Sequence, residues 1–281
     1  MSFSKVKSYA KINLALNVTG KLKNLHKIES IVSFVDLHDL IFIKGTSNEN
    51  HKISFSGKFS KNINKNNTIK KLLQILDHNE LLKNKKFIIK IKKNIPQKAG
   101  LGGGSMNASN ILNFFIKKKI IKINKKNLKK ICELIGSDVI LGTNLNSSIL
   151  KSNKDIQKFR NCPKFYTLLV QPNFGCSTKV IYSGVKKITK PKFNNPKKIM
   201  FSSRFLSNQE NALEKIAFLK YPKLKRIKIF LESLKKPAFV RMTGSGSVII
   251  AYYLSKNECE LAKVQFKRKF KNYWCNISKT I

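Results

Sequence analysis

Apolar side chains recur at every second position along "YAKINLALNV" (9–18), from Ile12 to Val18. A period of two is typical of a β-strand. Lys11 and Asn13, two residues apart, therefore point to the same face of this strand. Further strands are predicted at "DLIFIK" (39–44), "KFIIKIKK" (86–93), "FYTLLVQP" (165–172) and around "VRMTGSGSVIIAYY" (240–253).

Helical spacing, with apolar residues three and four positions apart, follows Thr68, which we take as an N-cap. The same spacing runs from Ala108 to Ile116, and Asn124 can cap another helix that ends at Gly136. In the second half we predict a short helix opening at Ser177–Thr178, two helices around Pro222, a last helix with Ser255 and Glu258 as a capping box, and a terminal strand.

Helices and strands are mixed in both halves of the chain, which favours a two-domain α+β architecture. The stretch "LNSSILKSNKDIQKFRNC" (145–162) is polar and weakly patterned. We place the domain boundary there, with one domain at 1–155 and the other at 156–281.

Four of the 13 glycines, Gly100, Gly102, Gly103 and Gly104, lie within five positions. A tight turn needs one or two glycines, whereas this cluster stands between a predicted strand and a helix beginning near Ser105. Exposed N–H groups at a helix N-terminus favour an anion, so we interpret the cluster as a phosphate-binding loop. Neither a Walker A motif nor G-x-G-x-x-G spacing is present.

A second glycine loop, "RMTGSGS" (241–247), precedes a strand instead of a helix. Alone it is typical of a hairpin turn. Together with the first loop it indicates two glycine loops that face one ligand.

The chain of 281 residues carries a net charge of +43, which is common in nucleic-acid-binding proteins. The lysines are spread over every segment, however, and nearly all the basic residues are Lys and not Arg. We therefore interpret the charge as compositional and expect no nucleic-acid partner. No apolar stretch approaches the roughly 20 residues of a membrane span, so no membrane partner is expected either.

The five cysteines are odd in number and contain no C-x-x-C pair. This pattern favours reduced thiols in a cytoplasmic protein and no zinc site.

Three segments, "AKINLALNV", "PQKAGLGGGSMNAS" and "VRMTGSGSVII", resemble the three motifs of the GHMP kinases in order and spacing. The resemblance runs over nearly the whole chain. It implies an α+β fold of two domains, an N-terminal ribosomal-protein-S5-like domain and a C-terminal ferredoxin-like domain. It also implies ATP and Mg²⁺ as cofactors.

Residue by residue, the resemblance assigns 96–106 to the ATP phosphates: Pro96, Gln97, Lys98, Ala99, Gly100, Leu101, Gly102, Gly103, Gly104, Ser105 and Met106. The Ser105 hydroxyl suits a Mg²⁺ ion shared with phosphate oxygens. Asn67 matches a position near the adenine, although it could equally be an N-cap.

Asp138 in "IGSDV" matches the catalytic aspartate of the family, which accepts the proton of the substrate hydroxyl, and Lys11 matches the active-site lysine. The alternatives are an N-cap for Asp138 and a solvated surface position for Lys11.

Within the family, "ESIVSFVDLHD" and "PNFGCSTKVIYS" are most similar to kinases of a cytidyl-diphosphate-linked methylerythritol in the non-mevalonate route to isoprenoids. The expected reaction is ATP-dependent phosphorylation of its 2-hydroxyl. Asn13, His26, Thr178 and Tyr182 then match the cytidine side of the site, and a core aromatic is the alternative for Tyr182.

The chain departs from this pattern at Leu25, where a second aromatic is usual, at Ala212 and Ile140, and at Gln97 and Lys98, where small residues are common.

Two other functions are weighed against this reaction. Another GHMP kinase, acting on homoserine or mevalonate, would have no use for Asn13, His26 and Tyr182. An RNA-binding protein would need a basic stripe with interleaved aromatics, and none is found in the sequence. The expected assembly is a monomer or weak homodimer.

Overall fold

The computed structural model describes residues 2–21 and 26–281. The chain divides into two compact units that alternate along the sequence. Unit 1 comprises Met1–Lys11, Leu37–Gln97 and Gly102–Leu145, and unit 2 comprises Ile12–Asp36, Lys98–Leu101 and Asn146–Ile281. Two long paired strands, β1 (Ser4–Lys21) and β2 (His26–Thr46), contribute to both units.

Unit 1 packs three helices against a small sheet. Strand β4 (Lys86–Lys92) pairs antiparallel with the end of β2, where Ile41 lies opposite Ile91, and parallel with β3 (Lys52–Ser56). The apolar faces of the helices bury their leucines and isoleucines against these strands. The remaining elements of unit 1 are α1 (Thr68–His78), α2 (Gly103–Lys117), α3 (Lys125–Ile135) and a 3-10 helix (Val139–Thr143).

Unit 2 contains a four-stranded antiparallel sheet in the order β10 (Trp274–Lys279), β7 (Tyr166–Gln171), β9 (Ile249–Tyr253) and β8 (Phe239–Met242). In addition, β2 pairs with β5 (Ser147–Leu150), which pairs in turn with β6 (Ile156–Phe159). Its further elements are α4 (Thr178–Ser183), a 3-10 helix (Lys198–Phe201), α5 (Ser203–Ser207), α6 (Glu214–Lys220), α7 (Pro222–Ser233) and α8 (Lys256–Lys269).

The last four strands of unit 2 follow a ferredoxin-like path. Helices α4 to α7 connect β7 to β8, β8 pairs with β9, and α8 connects β9 to β10. The predicted α+β class is confirmed, because helices and strands are mixed in both units. Among the helices in the described residues, none combines the length and apolar composition needed to cross a membrane.

Several local predictions are confirmed. Asn124 caps α3 by accepting a hydrogen bond from the N–H of Asn127, and α3 ends at Gly136. The capping box at the last helix is wrong. Ser255 precedes α8 without a side-chain capping bond, and the Glu258 carboxylate lies 3.4 Å from Lys236 Nζ in an ion pair.

Candidate active site

An ion pair joins the two predicted catalytic residues in unit 1. The Nζ atom of Lys11, on β1, lies 2.9 Å from Oδ2 of Asp138. The Lys11 side chain is 4% exposed and that of Asp138 30% exposed, so solvent or a ligand can reach the carboxylate while the ammonium is enclosed. Asp138 occupies the N-cap position of the 3-10 helix, but its side chain makes no capping hydrogen bond and pairs with Lys11. Lys11 is not a solvated surface lysine.

The first glycine loop passes beside this ion pair at Gly102. Gly102 is the N-cap of α2 and adopts φ +64°, in the left-handed region. A Cβ there would lie 3.2 Å from Lys11 Cε and 3.8 Å from Asp138 Oδ2. The glycine therefore meets both a conformational and a steric requirement.

Helix α2 begins at Gly103, two residues earlier than predicted. Its first backbone bond runs from the N–H of Met106 to the carbonyl of Gly102, at 2.9 Å. The N–H groups of Gly103, Gly104 and Ser105 precede that bond, and no side chain caps this end of the helix. Donors at a helix N-terminus suit phosphate oxygens, so the residues fit the predicted ligand.

Close neighbours explain the next two glycines, which are helical. A Cβ at Gly103 would lie 3.1 Å from Ile95 Cγ2 and 3.3 Å from Lys93 Nζ, and one at Gly104 would lie 3.2 Å from Thr68 Oγ1. Bulk, and not a left-handed backbone, restricts both positions.

The predicted N-cap at Thr68 is wrong by one residue. Asn67 caps α1, because its Oδ1 accepts hydrogen bonds from the N–H groups of Ile69 and Lys70 at 3.0 and 3.1 Å. Thr68 is the first helical residue, and its hydroxyl donates to the carbonyl of Gly104 at 2.8 Å. The start of α1 is thereby tied to the start of α2.

The neighbouring residues of the first glycine loop are also anchored. In unit 1, the amide of Gln97 donates to the carbonyls of Phe59 and Lys61, at 2.8 and 2.7 Å. Ser105 is the third residue of α2, and a Cβ at Gly136 would lie 3.9 Å from its Oγ. Pro96 and Met106 are buried beside this segment.

In unit 2, backbone bonds join Lys98–Leu101 to the second glycine loop. The N–H groups of Ser247 and Val248 donate to the carbonyls of Lys98 and Ala99, both at 3.2 Å. A Cβ at Gly100 would collide with the carbonyl of Thr243. The β8–β9 loop is thus a hairpin connection and also a direct hydrogen-bond partner of Lys98–Leu101.

The predicted substrate residues described by the structure all lie in unit 2. The N–H of Asn13 donates to Thr243 Oγ1 at 2.9 Å, and its side-chain amide donates to Ser30 Oγ at 2.8 Å. The rings of His26 and Tyr182 are 5.3 Å apart at 36°.

Helix α4 carries Tyr182 and begins at Thr178, whose hydroxyl is 2.9 Å from that of Ser245. Tyr182 is half-buried against the core of unit 2, so its core role and its ring contact with His26 occur together. Leu25 lies outside the described residues.

Sequence reasoning missed Thr243, Ser30 and the tether made by Thr68. Thr243 lies within a loop that the sequence had indicated, and its polar side chain between Met242 and Gly244 was an available signal. Ser30 directly precedes the apolar residues Ile31 and Val32 in "ESIVSFV" (29–35), and a polar residue buried there needs a hydrogen-bond partner.

Comparison with known sequences gives consistent matches. Residues 67–147 match the model described as the GHMP kinases N terminal domain. The 4-diphosphocytidyl-2-C-methyl-D-erythritol kinase of Pelagibacter ubique is 60% identical over 281 residues, covering 100% of both chains. That of Petrotoga mobilis is 32% identical over 254 residues, covering 87% of this chain and 96% of its own.

Solved structures share the fold. A crystal structure of 4-(cytidine 5'-diphospho)-2C-methyl-D-erythritol kinase superposes with a TM-score of 0.76 at 20% identity, covering 98% of this chain and 99% of its own. Homoserine kinase from Cytophaga hutchinsonii superposes with a TM-score of 0.70 at 15% identity, covering 100% of this chain and 95% of its own. The α+β GHMP kinase fold is therefore confirmed.

Proposed function

The chain belongs to the 4-diphosphocytidyl-2-C-methyl-D-erythritol kinase family of the GHMP kinases, and on that premise we propose that it phosphorylates the 2-hydroxyl of 4-diphosphocytidyl-2-C-methyl-D-erythritol with ATP. The observation that carries the proposal is the Lys11–Asp138 ion pair beside Gly102 at the N-terminus of α2. A proton acceptor and a phosphate-binding helix end are two of the parts that recur in phosphoryl-transfer sites.

In this mechanism the Asp138 carboxylate accepts the proton of the substrate hydroxyl as that oxygen attacks the γ-phosphorus. The bond from the γ-phosphorus to the bridging oxygen breaks, and ADP leaves. The Lys11 ammonium, 2.9 Å from Asp138, holds the carboxylate in place and offsets negative charge on the transferring group.

The N–H groups of Gly103, Gly104 and Ser105 would hold phosphate oxygens, with the rest of 96–106 shaping the loop. We assign Ser105 Oγ to a Mg²⁺ ion, which would neutralise phosphate charge when bound. Asn67 stays a proposed adenine contact. Its Oδ1 accepts two hydrogen bonds and its Nδ2 donates one, to the carbonyl of Asn64, so the contact would use the second N–H of Nδ2.

The cytidyl end is proposed to be held by Asn13, His26, Thr178 and Tyr182. The half-buried imidazole of His26 can donate and accept hydrogen bonds at a base edge. The ring of Tyr182, tilted against His26, offers a face on which cytosine can stack.

Further proposals concern the protein as a whole. We propose a domain boundary near residue 155, a monomer or weak homodimer, and no nucleic-acid or membrane partner. We also propose a cytoplasmic location, which the five free cysteine thiols support because reduced thiols are usual in that compartment.

The experiment is an ADP-release assay with three alcohols: the cytidyl substrate, homoserine and mevalonate. We expect kcat/KM for the cytidyl substrate to exceed the other two by at least about 100-fold, because unsatisfied polar groups penalise the wrong substrate. Phosphorus NMR of the product should locate the new ester at the 2-oxygen. Faster ADP release with homoserine or mevalonate would overturn the proposal.

A further inference from the structure

A buried carboxylate in unit 1, that of Asp39, takes no part in the mechanism above. It lies on β2, is 0% exposed, and accepts four hydrogen bonds. Its Oδ1 accepts from the N–H groups of Asn94 and Ile95, at 2.7 and 2.9 Å. Its Oδ2 accepts from the amide of Asn107 at 3.0 Å and from the ammonium of Lys93.

These donors stand on both sides of the first glycine loop. Lys93, Asn94 and Ile95 follow β4 and lead into the loop, while Asn107 lies in the second turn of α2, directly after it. One carboxylate therefore bonds the segment that enters the loop and the helix that leaves it.

Two of the residues that donate to Asp39, Lys93 and Ile95, also pack against Gly103. The atoms nearest to a Cβ at Gly103 are Ile95 Cγ2 at 3.1 Å and Lys93 Nζ at 3.3 Å. Because Asp39 holds both residues, it sets the space in which the N-terminus of α2 lies.

The negative charge of Asp39 is balanced by a neighbouring lysine. Lys93, itself only 5% exposed, supplies the compensating cation, and neutral donors fill the remaining acceptor sites. Asn107 donates to Asp39 although its own Oδ1 is buried without a hydrogen-bond partner in the described part of the chain. An amide held this way indicates that the carboxylate fixes its orientation.

We propose that Asp39 is a positioning residue for ATP binding: it holds Lys93–Ile95 and α2 in the arrangement that presents the N–H groups of Gly103 to Ser105 to phosphate. This inference rests on the proposed function. Asp39 itself contacts no substrate, because its acceptor sites are filled by protein donors.

Asp39→Asn tests the proposal with little change of shape. The amide can keep its oxygen toward the N–H groups of Asn94 and Ile95, but its Nδ2 then faces two donors, the ammonium of Lys93 and the amide of Asn107. The link between the entering segment and α2 is lost. Calorimetry should show the affinity for a non-hydrolysable ATP analogue with Mg²⁺ falling about tenfold or more, with KM for the cytidyl substrate within about twofold.

Glu29→Gln is the matched control. Glu29 is also 0% exposed and accepts from two consecutive backbone N–H groups, those of Lys192 and Phe193 at 2.7 and 2.9 Å, and from the amide of Asn17 at 2.9 Å. Glu29→Gln should lower the melting temperature, as we expect for Asp39→Asn. It should leave the affinity for the ATP analogue within about twofold of wild type.

A milder pair covers the case in which Asp39→Asn does not fold. Asn107→Ala removes one donor to Asp39, whereas Asn110→Ala removes an amide one turn later on the same helix that donates to the carbonyl of Met106. We expect weaker binding of the ATP analogue, by about two- to fivefold, only for Asn107→Ala. Equal affinity in folded Asp39→Asn and wild type, or equal loss in both asparagine variants, would overturn the inference. Failure of wild type to bind the analogue would instead contradict the proposed function.

Discussion

Gly102→Ala adds one methyl group at the point where the first glycine loop meets the Lys11–Asp138 ion pair. At φ +64° a residue with a Cβ costs about 1–2 kcal/mol relative to glycine. That is a modest share of the roughly 5–15 kcal/mol by which domains are stable, so the variant should fold with a lowered melting temperature. The methyl carbon would lie 3.2 Å from Lys11 Cε, which forces the lysine stem to move by a few tenths of an ångström.

The consequence should appear in kcat. Lys11 Nζ is held 2.9 Å from Asp138, and displacement of the stem shifts both groups relative to the reacting oxygen. Misplacement of about 1 Å in a catalytic group costs about 100-fold, so the smaller shift here should lower kcat by about three- to tenfold. Steady-state ADP release at saturating ATP and cytidyl substrate measures it, with circular dichroism to show that the variant is folded.

A double-mutant cycle with Lys11→Ala isolates the cause. If the methyl acts by displacing the lysine, then Gly102→Ala should change kcat by less than about twofold once Lys11 is alanine. A wild-type kcat in folded Gly102→Ala, or an equal loss in both backgrounds, would refute the reasoning.

Two further predictions concern the base-binding ring and a half-buried histidine. Tyr182→Ala should raise KM for the cytidyl substrate by about 10- to 100-fold, because stacking on a base contributes about 1–3 kcal/mol. The KM of the control variant Tyr182→Phe should stay near wild type. Weaker ATP binding in Tyr182→Ala would contradict the assignment. Burial lowers the pKa of His51, whose Nδ1 accepts from the N–H of Phe87 and whose Nε2 lies 3.1 Å from Asp77. The unfolded state then binds more protons, so stability contributed by neutral His51 is complete above about pH 6.5 and is lost as pH falls through the folded pKa. From pH 7.5 to pH 5 the urea midpoint of unfolding should fall further for wild type than for His51→Gln. Equal falls in the two proteins would count against a lowered pKa of His51.

Local patterns predicted most helices and several strands because the relevant contacts recur every two or four residues. The alternation from Ile12 to Val18 correctly predicts β1, but both faces of this stretch are buried in the structure. Lys11 and Asn13 are therefore polar residues in the interior, where each has a specific partner, Asp138 and Ser30. A period of two cannot reveal whether the polar face is exposed to solvent, since that depends on whether distant segments pack against it.

Other features depend on contacts between residues far apart in the sequence, which no local pattern can predict. Asp39 meets Lys93 and Asn107, which are 54 and 68 positions away. Strands β5 and β6 lie in the polar stretch 145–162, where backbone pairing and not apolar patterning forms them. Asn67 and Thr68 were both N-cap candidates because both residue types favour that position, and only the hydrogen bonds from the N–H groups of Ile69 and Lys70 identify Asn67 as the cap.

The most direct test of the central claim, phosphoryl transfer by a glycine loop and the Lys11–Asp138 pair, is single-turnover transfer from labelled ATP in Asp138→Asn. The amide keeps the shape of the side chain but cannot accept the hydroxyl proton. Transfer to the cytidyl substrate should slow by about 100- to 10,000-fold while the affinity for an ATP analogue stays within about twofold of wild type. A transfer rate within a few-fold of wild type would contradict the account.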